Sequence, residues 1–334
     1  MKFTLPILAV VLTAFSPVVD AAFNRLSTFF PCTQISPTCN TSIATGAEIV
    51  AASDDGNLLV YSDAEFFKVG FVNIVDPANP LPAGTVDFTP GQPNSVAVRG
   101  PFVLAVINTG TFANPTGYMA VINIASRVVV RNITLPGQPD SVTTTGAITV
   151  ISMENERNEG VNNGTLPQFP AGSVVIMNTT SSNPADWTSI NVNVTGLPGV
   201  LFDVDPEPEY AAINSQGLVA VTLQENNAIV LINGTTGAIV SSFSQGTVSL
   251  TEVDTLRVDG LINQVGSITN IERQADGITW INDRYFATAN EGDIGTGGSR
   301  TFSVFDSTSG AVVFDCGNFL EHLAVRIGHY PDVS

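Results

Sequence analysis

Positive charge is scarce in this chain. Of its 334 residues, 12 are Lys or Arg against 30 Asp or Glu, for a formal net charge of −18, and Lys occurs only at Lys2 and Lys68. A nucleic-acid binder displaces counterions with a basic face, which this composition does not supply. Anionic membrane surfaces are disfavoured for the same reason. Histidine is limited to His322 and His329, too few for a multi-His zinc site. There is no Gly-x-Ser-x-Gly elbow, no phosphate-binding P-loop and no Rossmann fingerprint. With 29 Gly and 20 Pro, long helices are unexpected. Apolar residues are plentiful at 44%, enough to bury a core, so this is no disordered acidic tail.

Met1-Lys2, the apolar run Leu5 to Phe15 and the small-residue stretch Val19-Asp20-Ala21-Ala22 read as a secretory signal peptide, residues 1–21. The run is shorter than the roughly 20 apolar residues that span a bilayer, and no other stretch approaches that length, so no transmembrane segment is expected. Removing residues 1–21 takes away one base, Lys2, and one acid, Asp20, and leaves the charge at −18. A secreted, extracellular chain suits the sequons at Asn40, Asn132, Asn163, Asn178, Asn193 and Asn233, candidate glycosylation sites. It also suits a disulfide between Cys32 and Cys39 in an N-terminal segment, residues 22–46. Cys316 is left over, either buried and inert or paired outside the chain.

From residue 47 to 334 the chain repeats itself. One series of strand patterns runs Gly70–Asp76, Gly117–Asn123, Gly172–Asn178, Asn227–Asn233 and Arg300–Asp306, at steps of 47, 55, 55 and 73 residues. A second series precedes each copy: Leu58–Asp63, Val103–Asn108, Ile148–Met153, Leu218–Leu223 and Tyr285–Asn290. A third and weaker one precedes those: Gly91–Val96, Gly137–Val142, Pro206–Ala211 and Gln274–Thr279. Ordered strand triplets with turn chemistry between them predict an all-β fold, a β-propeller with blades of about 45–55 residues. Five units are visible, and Glu321–His329 reads as the opening of a sixth, so the expectation is a propeller that this sequence contains only in part.

Propeller loops converge at one mouth, where residues distant in sequence meet. The second series is followed by acids and amides. Aligning Ser152-Met153 with Thr222-Leu223 and Thr288-Ala289 places Glu154, Gln224 and Asn290 in one register and Asn155, Glu225 and Glu291 in the next. With Glu156, Asp293, and the Glu207 and Glu209 of Asp203-Val-Asp-Pro-Glu-Pro-Glu209, these form a candidate set of hard oxygen ligands for Ca²⁺. The competing reading is that blade-end acids cap turns and face water. Glu291–Arg300, rich in Gly, is a candidate anion cradle with Arg300 as its cation. Asp140-Ser141 has Asn94-Ser95 as its counterpart and reads as a structural strand start.

Several segments resemble a known family: Ala47-Glu-Ile-Val, Ser152-Met-Glu-Asn-Glu-Arg157, Asp205-Pro-Glu-Pro-Glu-Tyr210, Val221-Thr-Leu-Gln-Glu-Asn-Asn-Ala228, Ala287-Thr-Ala-Asn-Glu-Gly-Asp293 and His322-Leu-Ala-Val-Arg-Ile-Gly-His-Tyr330. Over about Thr45 to Asp332 the chain is similar to the choice-of-anchor I family. That family includes mesenchyme-specific cell-surface glycoproteins of biomineralising animals and bacterial proteins labelled atypical alkaline phosphatases. The resemblance implies an extracellular propeller, seven-bladed in full-length members, with calcium and phosphate themes. It implies a Ca-binding glycoprotein at the cell surface or in extracellular matrix, with a matrix or mineral partner. The alternative it implies is a Ca-dependent atypical alkaline phosphatase or phosphodiesterase, whose mouth carboxylates hold the metal against a phosphate ester.

Overall fold

The computed structural model describes residues 25–40, 42, 44–255, 261–291 and 299–328. The expected signal peptide, Asp293 and His329 lie outside them. Five four-stranded antiparallel sheets follow one another, each a meander in chain order. The first holds β1 (Ala47–Ala52), β2 (Leu58–Asp63), β3 (Lys68–Asn73) and β4 (Leu81–Asp87). The second holds β5 (Gln92–Arg99), β6 (Phe102–Asn108), β7 (Gly117–Asn123) and β8 (Val128–Leu135). In the third are β9 (Pro139–Thr145), β10 (Ile148–Met153), β11 (Ser173–Asn178) and β12 (Thr188–Val192). The fourth comprises β13 (Pro208–Ile213), β14 (Leu218–Leu223), β15 (Ala228–Asn233) and β16 (Ile239–Ser244). A separate hairpin, β17 (Thr247–Val253) and β18 (Gly266–Glu272), fills the long step before the fifth sheet. That sheet is β19 (Ala275–Trp280), β20 (Tyr285–Asn290), β21 (Thr301–Asp306) and β22 (Val312–Asp315).

The second and first sequence series are thus the second and third strands of each sheet, the third series is the first strand of the second to fifth sheets, and the fourth strand of each sheet belongs to no series. The first strands pack side by side in the order β1, β5, β9, β13, β19 and form the inner wall. Second strands read as unbroken apolar runs because both their faces are buried. In β6, Val103, Ala105 and Ile107 pack towards the first sheet, whereas Leu104 and Val106 pack towards the third. Phe71 joins the first of these seams, Val221 and Leu223 lie in the seam between the third and fourth sheets, and Phe286 stacks on Phe305 between the fourth and fifth, with ring centroids 5.4 Å apart. Each such side chain, fully buried, contributes about 2–3 kcal/mol. Among the described residues four apolar seams serve five sheets.

Outside the sheets, the segment before β1 lies on the free face of the first sheet. Ser27 Oγ donates to the Pro77 carbonyl at 2.7 Å, and Gln34 Nε2 donates to the Phe71 carbonyl at 2.5 Å. Cys32 and Cys39 form a disulfide there, and Cys316 is free. The expected sixth strand pattern at Glu321–His329 is overturned. Phe319–Arg326 forms a helix, α1. Phe319, Leu320, Leu323 and Ile327 recur at helical rather than alternating spacing, with Glu321 in the first turn and Arg326 in the last to complement the helix dipole. Glu321 ties the helix down by accepting from Asp254 N at 2.6 Å, and a His322 ring nitrogen donates to the Glu252 carbonyl at 2.8 Å.

Candidate functional site

All five inner strands break register at the same place. Between β1 and β2, Ala47 pairs with Asp63 and Val50 with Tyr61, so Glu48 and Ile49 stand against the single residue Ser62. Asn94 is the extra residue of β5, Asp140 and Ser141 share one partner in β9, Glu209 and Tyr210 do so in β13, and Asp276 is the extra residue of β19. A β-bulge re-aims a side chain and tightens the local twist. Here it turns the residue after Ala47, Pro93, Pro139, Pro208 and Ala275 out of the ordinary in-out alternation. Those residues are Glu48, Asn94, Asp140, Glu209 and Asp276: four acids and one amide at equivalent positions.

Hydrogen bonds between neighbouring sheets hold the bulges. Ser62 Oγ donates to the Asn94 carbonyl at 3.1 Å, Asn94 Nδ2 to the Pro139 carbonyl at 3.0 Å, Ser141 Oγ to the Glu209 carbonyl, and Thr222 Oγ1 to the Asp276 carbonyl at 2.9 Å. With these carbonyls satisfied, the acid side chains face an axial cavity of about 380 Å³. Glu48, Asn94, Asp140 and Asp276 line it, together with Gln138, Glu154, Glu156 and Tyr210. Glu207, Glu209 and Glu225 are buried beside it.

So many carboxylates in a confined space cannot all ionise. Burial first, then repulsion from Asp276, Glu48, Glu156 and Glu225, pushes Asp140 up to about 8. Burial, then Asp140 and Glu156, holds Glu154 well above the usual carboxylate range. Glu209 is raised in the same way, by burial and then Glu225. Glu207 rises to about 8 through burial and Glu225, partly offset by Arg157. Asp276 is raised by burial and then by Glu291. The compensating cation is Arg157, itself buried. Its Nη1 lies 2.7 Å from Glu225 Oε1 and 3.5 Å from Glu207 Oε2. Glu207 Oε1 and Glu225 Oε2 are buried without a hydrogen-bond partner.

Of the acids proposed from sequence, Glu154, Glu156, Glu207, Glu209 and Glu225 come together, whereas Glu291 is exposed at the rim. One register needs correction. Asn290 pairs with Ala275 and Thr301, as Met153 pairs with Pro139 and Ser173 and Leu223 with Pro208 and Ala228, so Glu291 rather than Asn290 is the counterpart of Glu154. Glu48, Asp140, Asp276, Tyr210 and Arg157 were missed as site residues. The signal was present in the weaker repeat series, where Asn94, Asp140 and Glu209 align, and Asp276 joins them once Gln274–Thr279 is shifted by one residue to match the strand pairing. Arg300 is held elsewhere: its Nη2 donates to the Asp254 carbonyl at 2.8 Å and lies 3.4 Å from Glu321 Oε2.

The donors around the cavity are hard oxygens, which match Ca²⁺ in kind. Among the described residues no three His, Cys, Asp or Glu side chains converge closely enough to share one ion. The cavity therefore fits a hydrated cation in charge and donor type but offers no ready inner-sphere cage.

Consecutive four-stranded meanders around an acidic axial cavity define a β-propeller. Residues 48–297 match the choice-of-anchor I domain, and the chain belongs to that family. Its fold is similar to the WD40 β-propeller domain of Doa1, with TM-score 0.50 and 12% identity over 82% of this chain and 71% of that one. A protein of unknown function from Bacteroides caccae aligns with TM-score 0.46 and 12% identity over 83% of each chain. No curated protein matches. Among the described residues no helix is long and apolar enough to cross a membrane.

Proposed function

We propose that this chain is a secreted or surface-associated propeller glycoprotein that binds a cation in its axial cavity. One observation carries the reading: bulges in separate sheets bring Glu48, Asp140 and Asp276, with Glu154 and Glu156, to the wall of one cavity. Gathering these acids is costly without positive charge, and a cation lowers that cost. For Ca²⁺, Asp140, Glu154 and Glu156 would hold the ion through its water shell, and the metal would supply charge neutralisation. An extracellular location draws support from the family and from the sequons. All six sequon asparagines are exposed. Asn40, Asn178, Asn193 and Asn233 each accept, through Oδ1, the backbone N–H of the Ser or Thr two residues on. The cavity's negative charge disfavours a phosphate ester unless a cation enters first, which ranks the phosphatase reading second.

Thermal unfolding of the secreted protein at pH 8, with 5 mM EDTA or with millimolar Ca²⁺ at matched ionic strength (about those concentrations), tests the reading. Ca²⁺ is expected to raise the midpoint, and Asp140→Asn to abolish the rise. An unchanged midpoint in Ca²⁺ removes calcium from the proposal. Ca²⁺-dependent hydrolysis of a chromogenic phosphate ester, lost in Asp140→Asn, would put the enzyme reading first.

A further inference from the structure

We propose that the ligand of the axial cavity is an organic cation, a guanidinium or alkylammonium group, which deepens and rests on the reading of this cavity as a cation site. Three observations carry the choice. The acids are spread around the wall, Glu48 from the first sheet, Asp140, Glu154 and Glu156 from the third and Asp276 from the fifth, and among the described residues no three converge closely enough to share a metal ion, which takes about six to eight oxygens at roughly 2.3–2.6 Å. The cavity of about 380 Å³ has room for several waters and so for a planar or alkyl cation with part of its stem. Its wall is also mixed. Asn94 and Gln138 offer amide oxygens, and Tyr210 offers an aromatic surface, which suits a weakly hydrated cation better than a small, strongly hydrated one.

A precedent lies beside the cavity. The Arg157 guanidinium sits between Glu207 and Glu225, so carboxylates of this cluster already accept that group in the native fold. Even with Arg157 in place, Glu207 Oε1 and Glu225 Oε2 remain buried without a hydrogen-bond partner. Buried acceptors left in this state point to a donor still to come. Glu207 stands two residues before Glu209, the place that the cavity-lining Gln138 holds before Asp140. Glu207 and Glu225 lie behind the wall, and the carboxyl oxygens that a ligand N–H group meets in the cavity itself are those of Glu48, Asp140, Glu154, Glu156 and Asp276. Guanidinium and primary ammonium donate five and three N–H bonds respectively and need no acceptor in return, which matches a wall made of acceptors.

Isothermal titration at pH 8 and fixed ionic strength with L-arginine amide, spermidine and CaCl₂ tests the proposal on the full secreted chain. Arginine amide or spermidine is expected to bind more tightly than Ca²⁺ and to lose at least about tenfold in affinity in Asp140→Asn and in Asp276→Asn, each removing one charge-assisted contact. Both variants relieve buried like charge, so they fold; circular dichroism confirms it. A blocked Gly-Gly-Arg-Gly-Gly peptide distinguishes the source of the group. Tighter binding of the peptide than of arginine amide identifies a protein side chain as the ligand, and weaker binding identifies a free small molecule. Ca²⁺ binding that depends on Asp140, with no organic cation bound, overturns this inference and leaves the cation reading standing. Binding of neither overturns both, and organic-cation binding unaffected by either variant places the ligand elsewhere and overturns this inference.

Discussion

Asp140 makes the protein's stability fall as pH rises. The native state holds the Asp140 proton up to about pH 8, whereas the unfolded chain releases it near 3.8. Between those values the native state binds more protons than the unfolded one, so stability declines towards alkaline pH. Below about pH 4 both states are protonated and the effect vanishes. A rise of roughly four units in an isolated group corresponds to about 5 kcal/mol. Asp140 faces water in the cavity and titrates together with its acidic neighbours, which reduces the share one substitution recovers to about 1–3 kcal/mol. Asp140→Asn keeps the shape and removes the charge, so at pH 9 it should raise the unfolding midpoint by about 2–6 °C, and at pH 4 by almost nothing. Denaturant and thermal unfolding of both proteins across pH 4–9, without added divalent ions (about that range), measure the difference. A wild-type protein more stable at pH 9 than at pH 5, or an Asp140→Asn variant that tracks it at every pH, would refute the reasoning.

Arg157→Met should be costly, because it leaves Glu207 and Glu225 buried without their cation. A loss of about 3 kcal/mol at pH 8 is expected, shrinking at pH 5 as Glu207, which burial raises to about 8, becomes fully protonated, and urea unfolding at the two pH values checks it. Gly172→Ala places a methyl 2.4 Å from the Met153 carbonyl oxygen and 2.5 Å from Pro208 Cδ, where the third and fourth sheets meet. It should destabilise by about 1–3 kcal/mol. Gly277→Ala, with its nearest neighbour at 3.6 Å, should fall within about 0.5 kcal/mol of the parent in the same assay.

Much of the fold was legible because a second strand buried on both faces must be apolar throughout, and such runs are hard to mistake. Val103–Ile107 and Val219–Leu223 stand out from any surface strand. The β17–β18 hairpin escaped notice because it belongs to no repeat series and its residues are mostly partly exposed. The α1 segment was misread because its sequence, Glu321-His-Leu-Ala-Val-Arg, carries a short apolar stretch that fits either period until its contacts with Asp254 and Glu252 are seen. For the site, acids ending second strands could be spotted, but the register of Asn290 slipped by one because Thr288-Ala289 looks like Ser152-Met153.

The sequence by itself determined the class of fold, the succession along the chain of the inner three strands of most sheets, the membership of the choice-of-anchor I family and the surplus of negative charge. These follow from local properties: side-chain periodicity, turn residues and composition. Only the tertiary structure decided which acids meet. Strand periodicity says which face a side chain takes, but a bulge changes that face, and packing of the inner strands sets which residues share the axis. Glu48, Asp140 and Asp276 are far apart along the chain and meet because each sits at the bulge of an inner strand. Arg157 reaches its partners in the next sheet for the same reason, that neighbouring sheets pack face to face around one axis.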